Sequence, residues 1–445
     1  MAEISPFRAL HYNAGQIPDL AKVVTQPYDK ISAEMQARYY ELSRYNLVRI
    51  IRGCATPADG PQNNVYTRAA RDLQDWIGKG VLVSEPQAAL YPYYQEYSVP
   101  GQPEIHKQRR GFIALCRLED YSVRVVHRHE ETLSGPKADR LELLKATRTH
   151  FGQIFMLYSD PAGTVESTLH AAASSAPWEC LQDEYGALHS VWRVTDPQTI
   201  EQAVARMRDK KLIIADGHHR YETALAYRNY CREQGNPQDR AEHVMMTFIR
   251  MESEGLTILP THRAVHSLPD FDWQKFAVDA GRFFDWEEVR VQGPSREWAG
   301  RVLETLWEAG RDRPTLGAFG GRGKVALLRL KKALDLEAAL PDLPAGLRRL
   351  DVVLLHRLLL EEVLGIDRQA VREEKNLRYF REIGATLQQV EKGKAQVAFL
   401  LNPTPVEAVR DNALAGQALP QKSTDFYPKL LSGLTGYWLD NPLGM

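Results

Sequence analysis

Apolar residues recur along this chain at two spacings, every second position and every third or fourth, and the two spacings alternate from end to end. QAALYPYYQEYSV and RRGFIALCRLE carry strand-like, aromatic-rich patterns around the turn PGQPE, which predicts a hairpin. VYTRAARDLQDWIGKGVL and KADRLELLKATRTHFG have helical spacing. RYNLVRIIRG (ending at Gly53), VRVVHRHEETL and QIFMLYS read as strands. APWECLQDEYGALHSVWRVT reads as two strands around a turn, and DPQTIEQAVARMRD as a helix capped by Asp196. The strand KLIIA runs straight into the helix HRYETALAYRNYCRE, and HVMMTFIRM follows as a strand.

SLPDFDW, from Ser267, has the composition of a linker. Beyond it come the helices WQKFAVDAGRFF and SREWAGRVLETLWEAG, then the strands TLGAF and KVALLRL around a glycine turn. A buried amphipathic helix over Asp351–Leu364 and the strand QVAFLLNP complete the series. The expectation is a mixed α+β protein of two domains, 1–267 and 268–445.

Composition narrows the class. At 445 residues, 44% hydrophobic and 25% charged, the chain is long enough for two or three ordinary cores. Lysine plus arginine (56) nearly balance aspartate plus glutamate (57), which argues against a partner held by nucleic-acid phosphates. Cys54, Cys116, Cys180 and Cys231 are scattered with no CxxC pair, so reduced thiols in a cytoplasmic protein are expected. The N-terminal MAEISPFRALHYN lacks a signal-peptide core, and the most apolar segment is broken by His356, Arg357, Glu361 and Glu362. A soluble protein follows, with no membrane partner. Oligomeric state is not encoded legibly.

The densest chemistry lies in KLIIADGHHRYETALAYR, where Asp216, Gly217, His218, His219 and Arg220 sit between strand and helix. A helix N-terminus offers N–H groups and the positive end of the dipole to an anion. Glycine admits close approach, while arginine and protonatable histidine add charged donors. Asp216 would repel a phosphate unless it binds Mg²⁺ or serves as a base. The alternative makes Asp216 an N-cap and the histidines surface groups. Residue types alone leave both open.

A second cluster, HRHEETLSGPKADRLELLKATRTH, offers Glu130 as base or metal ligand, Thr132, Lys137 and Arg140 as anion donors, and Asp139 as cap or ligand. His127 and His129 alternate to one strand face, as a metal pair could, but HExxH is absent because Leu133 stands where the second histidine belongs. A solvated strand end with i,i+4 charge pairs is the other reading. A third, LPQKSTDFYPKLLSGL, presents Lys422, Ser423, Thr424 and Lys429 in a loop near 419–434 that could close over a site; it could equally pack Phe426 and Tyr427 into a core. Asp29 and Lys30 of QPYDKIS, and His262 and Arg263 of LPTHR, either face a site or cap and brace the fold. GAFGGRGKVALLRL is no phosphate loop, since no Ser or Thr follows Lys324 and a strand follows where a helix is required.

ADGHHRYETAL resembles the nucleotide-binding signature of the ParB/sulfiredoxin superfamily, a strand–turn–helix with a G-x-H-R core that includes ADP-dependent free-serine kinases. Sulfiredoxins carry a reactive cysteine where this chain has His218, so phosphoryl chemistry is favoured over sulfinic-acid reduction. More broadly, PFRAL, QPYDKIS, YNLVRI, HEETLSGPKADRLELLKAT, ADGHHRYETAL, LPTHR and PQKSTDFYPKLLSGL, in that order, resemble the bacterial family called domain of unknown function 1015 over nearly the whole chain. The superfamily resemblance implies a ParB/sulfiredoxin-like nucleotide-binding core followed by a second α+β domain. It implies a phosphotransferase taking phosphate from ADP or ATP to a small hydroxylated metabolite such as free serine. Gly217, His218, His219 and Arg220 would hold phosphates, with Thr132, Lys137, Arg140, Lys422, Ser423 and Thr424 assisting. Glu130 or Asp216 would take the hydroxyl proton while the other helps bind Mg²⁺. A phosphoserine phosphatase, a nucleotide-gated binding protein and a metallohydrolase built on His127, His129, Glu130 and His218 are the competing expectations.

Overall fold

The computed structural model describes residues 1–131, 135–173, 175–235 and 239–444, and of residues 135–137, 172 and 239 only the backbone. Two sheets organise the described residues. The first has nine strands, in the order Val126–Arg128, Leu212–Asp216, Ile154–Tyr158, His243–Arg250, Gln102–Arg117, Tyr91–Val99, Leu188–Val191 and Glu179–Gln182, with Ile4–Ser5 pairing beside Gln102–Arg117. Most neighbours are antiparallel. Leu212–Asp216 runs parallel to Val126–Arg128, and His243–Arg250 parallel to Ile154–Tyr158.

Alternation explains how this sheet is buried on both faces. In Ile154–Tyr158, Phe155 and Leu157 join one core cluster while Ile154, Met156 and Tyr158 join the other. The predicted hairpin forms, with Tyr91 opposite Ile113 through Tyr97 opposite Lys107. The helices Val65–Gly78, Pro197–Met207 (with Asp196 capping Thr199) and His218–Glu233 also lie where their spacing places them. YNLVRIIRG does not become a strand. Val48–Ile51 is a short helix, because the Asn46 carboxamide accepts the Val48 N–H and turns the chain before an edge can pair.

The second sheet is antiparallel, ordered Phe284–Val289, Val325–Leu330, Thr315–Phe319, Val397–Leu400, His262–Val265 and Leu377–Phe380. Helix Ser295–Asp312 covers one face. The helix begun at Asp351 covers the other, passing into π geometry over Leu355–Val363. His262–Val265 lies ahead of the expected boundary at 268 and pairs in this second sheet. The chain then returns. Asp425–Tyr427 pairs with Thr257–Leu259, and Tyr437–Trp438 with Thr149–His150. Phe426, Leu430, Leu431 and Leu434 join the core of the first sheet, so residues 419–434 form a packed strap across both sheets rather than an open loop. No helix among the described residues is long and apolar enough to cross a membrane.

Candidate functional site

The turn after Leu212–Asp216 is built around Gly217, whose φ of 96° suits glycine. A Cβ there would lie 3.1 Å from Arg220 Cζ and 3.4 Å from the Ile154 backbone. Helix His218–Glu233 therefore starts with Arg220 folded back over the turn, and no side chain caps it. Asp216 is not the cap. Its carboxylate takes a short charged hydrogen bond from Arg220 Nη2 and another, at 3.2 Å, from Lys429 Nζ on the strap. Burial alone would raise its pKa, but Lys429, Arg220 and Lys30 outweigh that and hold it far below the usual carboxylate range. Arg220 is further fixed by the Gln153 carbonyl and has Asp29 at 3.9 Å.

Glu130 is also engaged. Its Oε1 accepts from the backbone N–H and the hydroxyl of Thr424, each at 2.9 Å. Burial pushes this carboxyl up, but His129, His218 and Thr424 together draw it down to about 2. His129 is fully buried, with Nδ1 on the Ile214 carbonyl and Nε2 at 2.8 Å from Thr424 Oγ1. The His129 N–H reaches His218 Nε2 at 3.4 Å, so His218 accepts there. Burial and the neighbouring His129 push His218 down to about 3, which makes it a neutral imidazole rather than the charged donor expected.

Glu130, Asp216, His218, Arg220 and Thr424 line a cavity of about 130 Å³ with Tyr28, Asp29, Lys30, His219, Lys422 and Lys429. At ~30 Å³ per water, it holds a phosphate-sized group and not a whole nucleotide. A second chamber of about 340 Å³ adjoins it. The two share Lys30, Lys422, Thr424 and Lys429 as lining residues. Arg381, Tyr379, Phe380 and Tyr427 wall the larger chamber, whose volume is that of an ordinary ligand pocket.

Charge is distributed unevenly between the two chambers. Lys429 is buried between Asp216 and Asp425, and Arg381 also pairs with Asp425, at 2.6 Å. The side-chain ammonium groups of Lys30 and Lys422 form no hydrogen bond or ion pair among the described residues, yet both line the shared throat. Lys30 is pushed below its ordinary pKa, first by the Lys429 ammonium and then by burial. Lys422 holds φ at 58°, a conformation that lysine adopts at a cost. A throat with two unpaired ammonium groups beside an uncapped helix N-terminus carries charge complementary to an anion.

Of the residues singled out from sequence, Glu130, Asp216, Gly217, His218, His219, Arg220, Lys422 and Thr424 converge on the small cavity. Arg140 does not. It pairs with Asp139, donates to the Ile51 carbonyl and stacks 4.4 Å from the Tyr28 ring, lining a separate hollow. Ser423 is buried, donating to the Pro420 carbonyl. Thr132 and the side chain of Lys137 lie outside the described residues. His127 meets the carbonyls of Ala413 and Arg124, so it makes no metal pair with His129. Among the described residues no group of three or more His, Cys, Asp or Glu side chains could hold a metal ion. Of the two carboxylates expected to take part in binding Mg²⁺, Asp216 is held by Arg220 and Lys429, and one oxygen of Glu130 by Thr424. Arg381 and Asp425 went unseen in the sequence because their partners are far apart along the chain; the one signal available was an acid and a lysine four residues apart, Asp425 and Lys429.

A protein-family model described as "Protein of unknown function (DUF1015)" matches residues 4–353. No curated protein matches the sequence. Similar solved structures include a conserved hypothetical protein from Pyrococcus furiosus, at 12% identity and TM-score 0.35, covering 72% of this chain and 95% of that one. A free serine kinase in complex with AMP, at 12% identity and TM-score 0.35, covers 72% and 92%. SbnI with a C-terminal truncation, from Staphylococcus aureus, at 10% identity and TM-score 0.35, covers 74% and 90%. At such scores these likenesses carry no argument about the residues of the site.

Proposed function

For a chain that belongs to the family described as protein of unknown function (DUF1015), we propose a nucleotide-dependent phosphotransferase acting on a small hydroxylated metabolite, with free serine or a similar amino acid as acceptor and ADP or ATP as donor. The observation that carries this reading is the convergence of Lys30 and Lys422, both unpaired, with Lys429 on a phosphate-sized cavity at a helix N-terminus. The terminal phosphate would sit among these ammonium groups and the first turn of His218–Glu233. The rest of the ligand would extend into the larger chamber against Tyr379, Phe380 and Tyr427. Such catalysis is chiefly positioning and charge stabilisation.

The base assignment moves from that expected. Asp216 and Glu130 are both held as stable anions and are weak proton acceptors. Asp29 lines the same cavity, its one ion pair among the described residues is the loose one to Arg220 at 3.9 Å, and it is the better placed carboxylate. In this scheme Asp29 takes the acceptor's hydroxyl proton, the alkoxide oxygen bonds to the terminal phosphorus, and the bond to the bridging oxygen breaks to release the shortened nucleotide. The test is ³¹P NMR with ATP, ADP or CTP and a panel of hydroxy-amino acids, phosphoserine alone included. Transfer to an acceptor supports the reading, whereas phosphate release from phosphoserine without nucleotide identifies a hydrolase. No phosphoryl movement with any pair sinks both. Asp29→Asn should lower kcat by about 10²–10⁴-fold, with nucleotide affinity retained.

A further inference from the structure

Arg109 and Arg263 are among the largest side chains in the protein to be fully buried, at 0% and 1% exposure. Buried arginines ordinarily pair with a carboxylate, as Arg228 does with Asp120. Among the described residues, neither Arg109 nor Arg263 forms an ion pair. Each donates instead to backbone carbonyls of the strap. Arg109, in the first sheet, gives Nη1–H to the Tyr427 carbonyl at 2.9 Å and Nη2–H to that of Pro428. Its cross-strand partner Gln95 accepts from its Nε at 3.0 Å and donates to the Lys429 carbonyl at 2.9 Å. Three successive carbonyls are thus held by one hairpin pair, with Phe155 4.7 Å beneath the guanidinium. Arg263, in the second sheet, gives Nη2–H to the Lys422 carbonyl at 2.8 Å and Nη1–H to Thr261, while its Nε finds no partner. Thr404 adds a hydrogen bond to the Ser423 carbonyl at 2.8 Å.

We propose that Arg109 and Arg263 are positioning residues for the anion site: each sheet grips one end of segment 422–429 by its carbonyls, and the two grips together deliver Lys422 and Lys429 to the cavity. The clamp stands on these contacts, and its effect on ligand binding rests on the function proposed above. The strain at Lys422 lies at this grip, because the carbonyl bound by Arg263 belongs to the one residue of segment 422–429 with positive φ. Burial lowers both guanidinium groups to about 10, so both remain cationic at neutral pH. Arg109 acts over distance on Asp216, and Arg263 on Glu130, adding positive potential behind each carboxylate of the site.

Hydrogen exchange by mass spectrometry on the whole chain without ligand tests the clamp directly. Peptides covering 419–434 should be protected like the core strand His243–Arg250, and fast exchange of the strap in the native protein overturns the proposal. Arg263→Met should speed exchange in the strap by about tenfold to hundredfold, the size of a lost charged hydrogen bond, and leave the core strand unchanged. ADP affinity, read by calorimetry, should fall by a similar factor. Strap protection and affinity both equal to the native protein's would overturn the proposal. Should the methionine variant lose protection in the core as well, Arg263→Lys and Arg109→Lys keep the charge and one donor; loosening confined to the strap supports the clamp, and native protection in both lysine variants refutes it. If the native protein binds no nucleotide, the functional reading fails while the exchange result still decides the clamp.

Discussion

Two stretches meet at the cavity, the turn from Asp216 to Arg220 and the strap from 419 to 434, and they use charge in opposite ways. In the turn nearly every ionisable group is already answered: Asp216 by Arg220 and Lys429, Arg220 by Asp216 and the Gln153 carbonyl, His218 by the His129 N–H. In the strap, buried apolar residues and two arginines fix the backbone, and among the described residues the Lys422 ammonium group is left without a partner; that of Lys30 joins it from the N-terminal segment. The more conspicuous motif is thus a rigid frame, while the unpaired charge comes from residues around it. An anion site needs both, since unpaired lysines attract a phosphate only if something holds them in place.

The sharpest way to break this comparison is to remove the keystone of the turn. Asp216→Ala leaves Lys429 and Arg220 deprived of a shared counter-charge, and Lys429 is buried. Breaking such a pair costs about 3–5 kcal/mol, which urea denaturation would register. A loss under about 1 kcal/mol, within the range of exposed pairs, would mean the turn is not the frame described. The companion test is acid. Glu130 has its folded pKa depressed to about 2, so its stabilisation is present above the unfolded value near ~4.3 and lost as pH falls through the folded one. Between pH ~4.3 and ~2 the native protein should lose roughly 3 kcal/mol through this group, and Glu130→Gln should flatten that part of the curve.

Most strands and helices were legible from periodicity, because both faces of the first sheet are buried and enforce alternation, as in Ile154–Tyr158. The misread element, Val48–Ile51, is short and apolar, and the Asn46 side chain decided it. The turn was legible as chemistry because its residues are consecutive. That its charges answer one another was not, since Lys429 lies 213 residues from Asp216 and no pattern in either segment announces the pairing. Arg109 is the extreme case. In QRRGF one arginine must point inward and one outward, and only the tertiary fold says that the inward one meets the strap.

On the strap side, Lys422 allows stability and binding to be separated. Lys422→Gly removes the strain of a positive φ and should stabilise the fold by up to about 1 kcal/mol, while lowering affinity for ADP or pyrophosphate about tenfold. Lys30→Met should weaken binding to a like degree without changing the urea midpoint, because no ion pair is lost. A variant at either position that binds normally would return the weight of anion binding to the turn.

The smallest expected effect is a null one at His218. Burial and His129 hold this imidazole to about 3, and Nε2 accepts from a backbone N–H, so the proton it carries sits on Nδ1. A group with a depressed folded pKa of this kind is neutral throughout the physiological range. Its ring resonances in an NMR titration should therefore stay flat from pH ~8 down to pH ~5 and move only in acid below that. His218→Asn, which keeps a polar group in its place, should alter ligand affinity equally at both ends of that window. A ring that titrates near its ordinary value of ~6.5 would restore the charged grip read from the sequence. It would also remove the distinction between an answered turn and an unanswered strap, since the turn would then contribute a cation of its own to the phosphate.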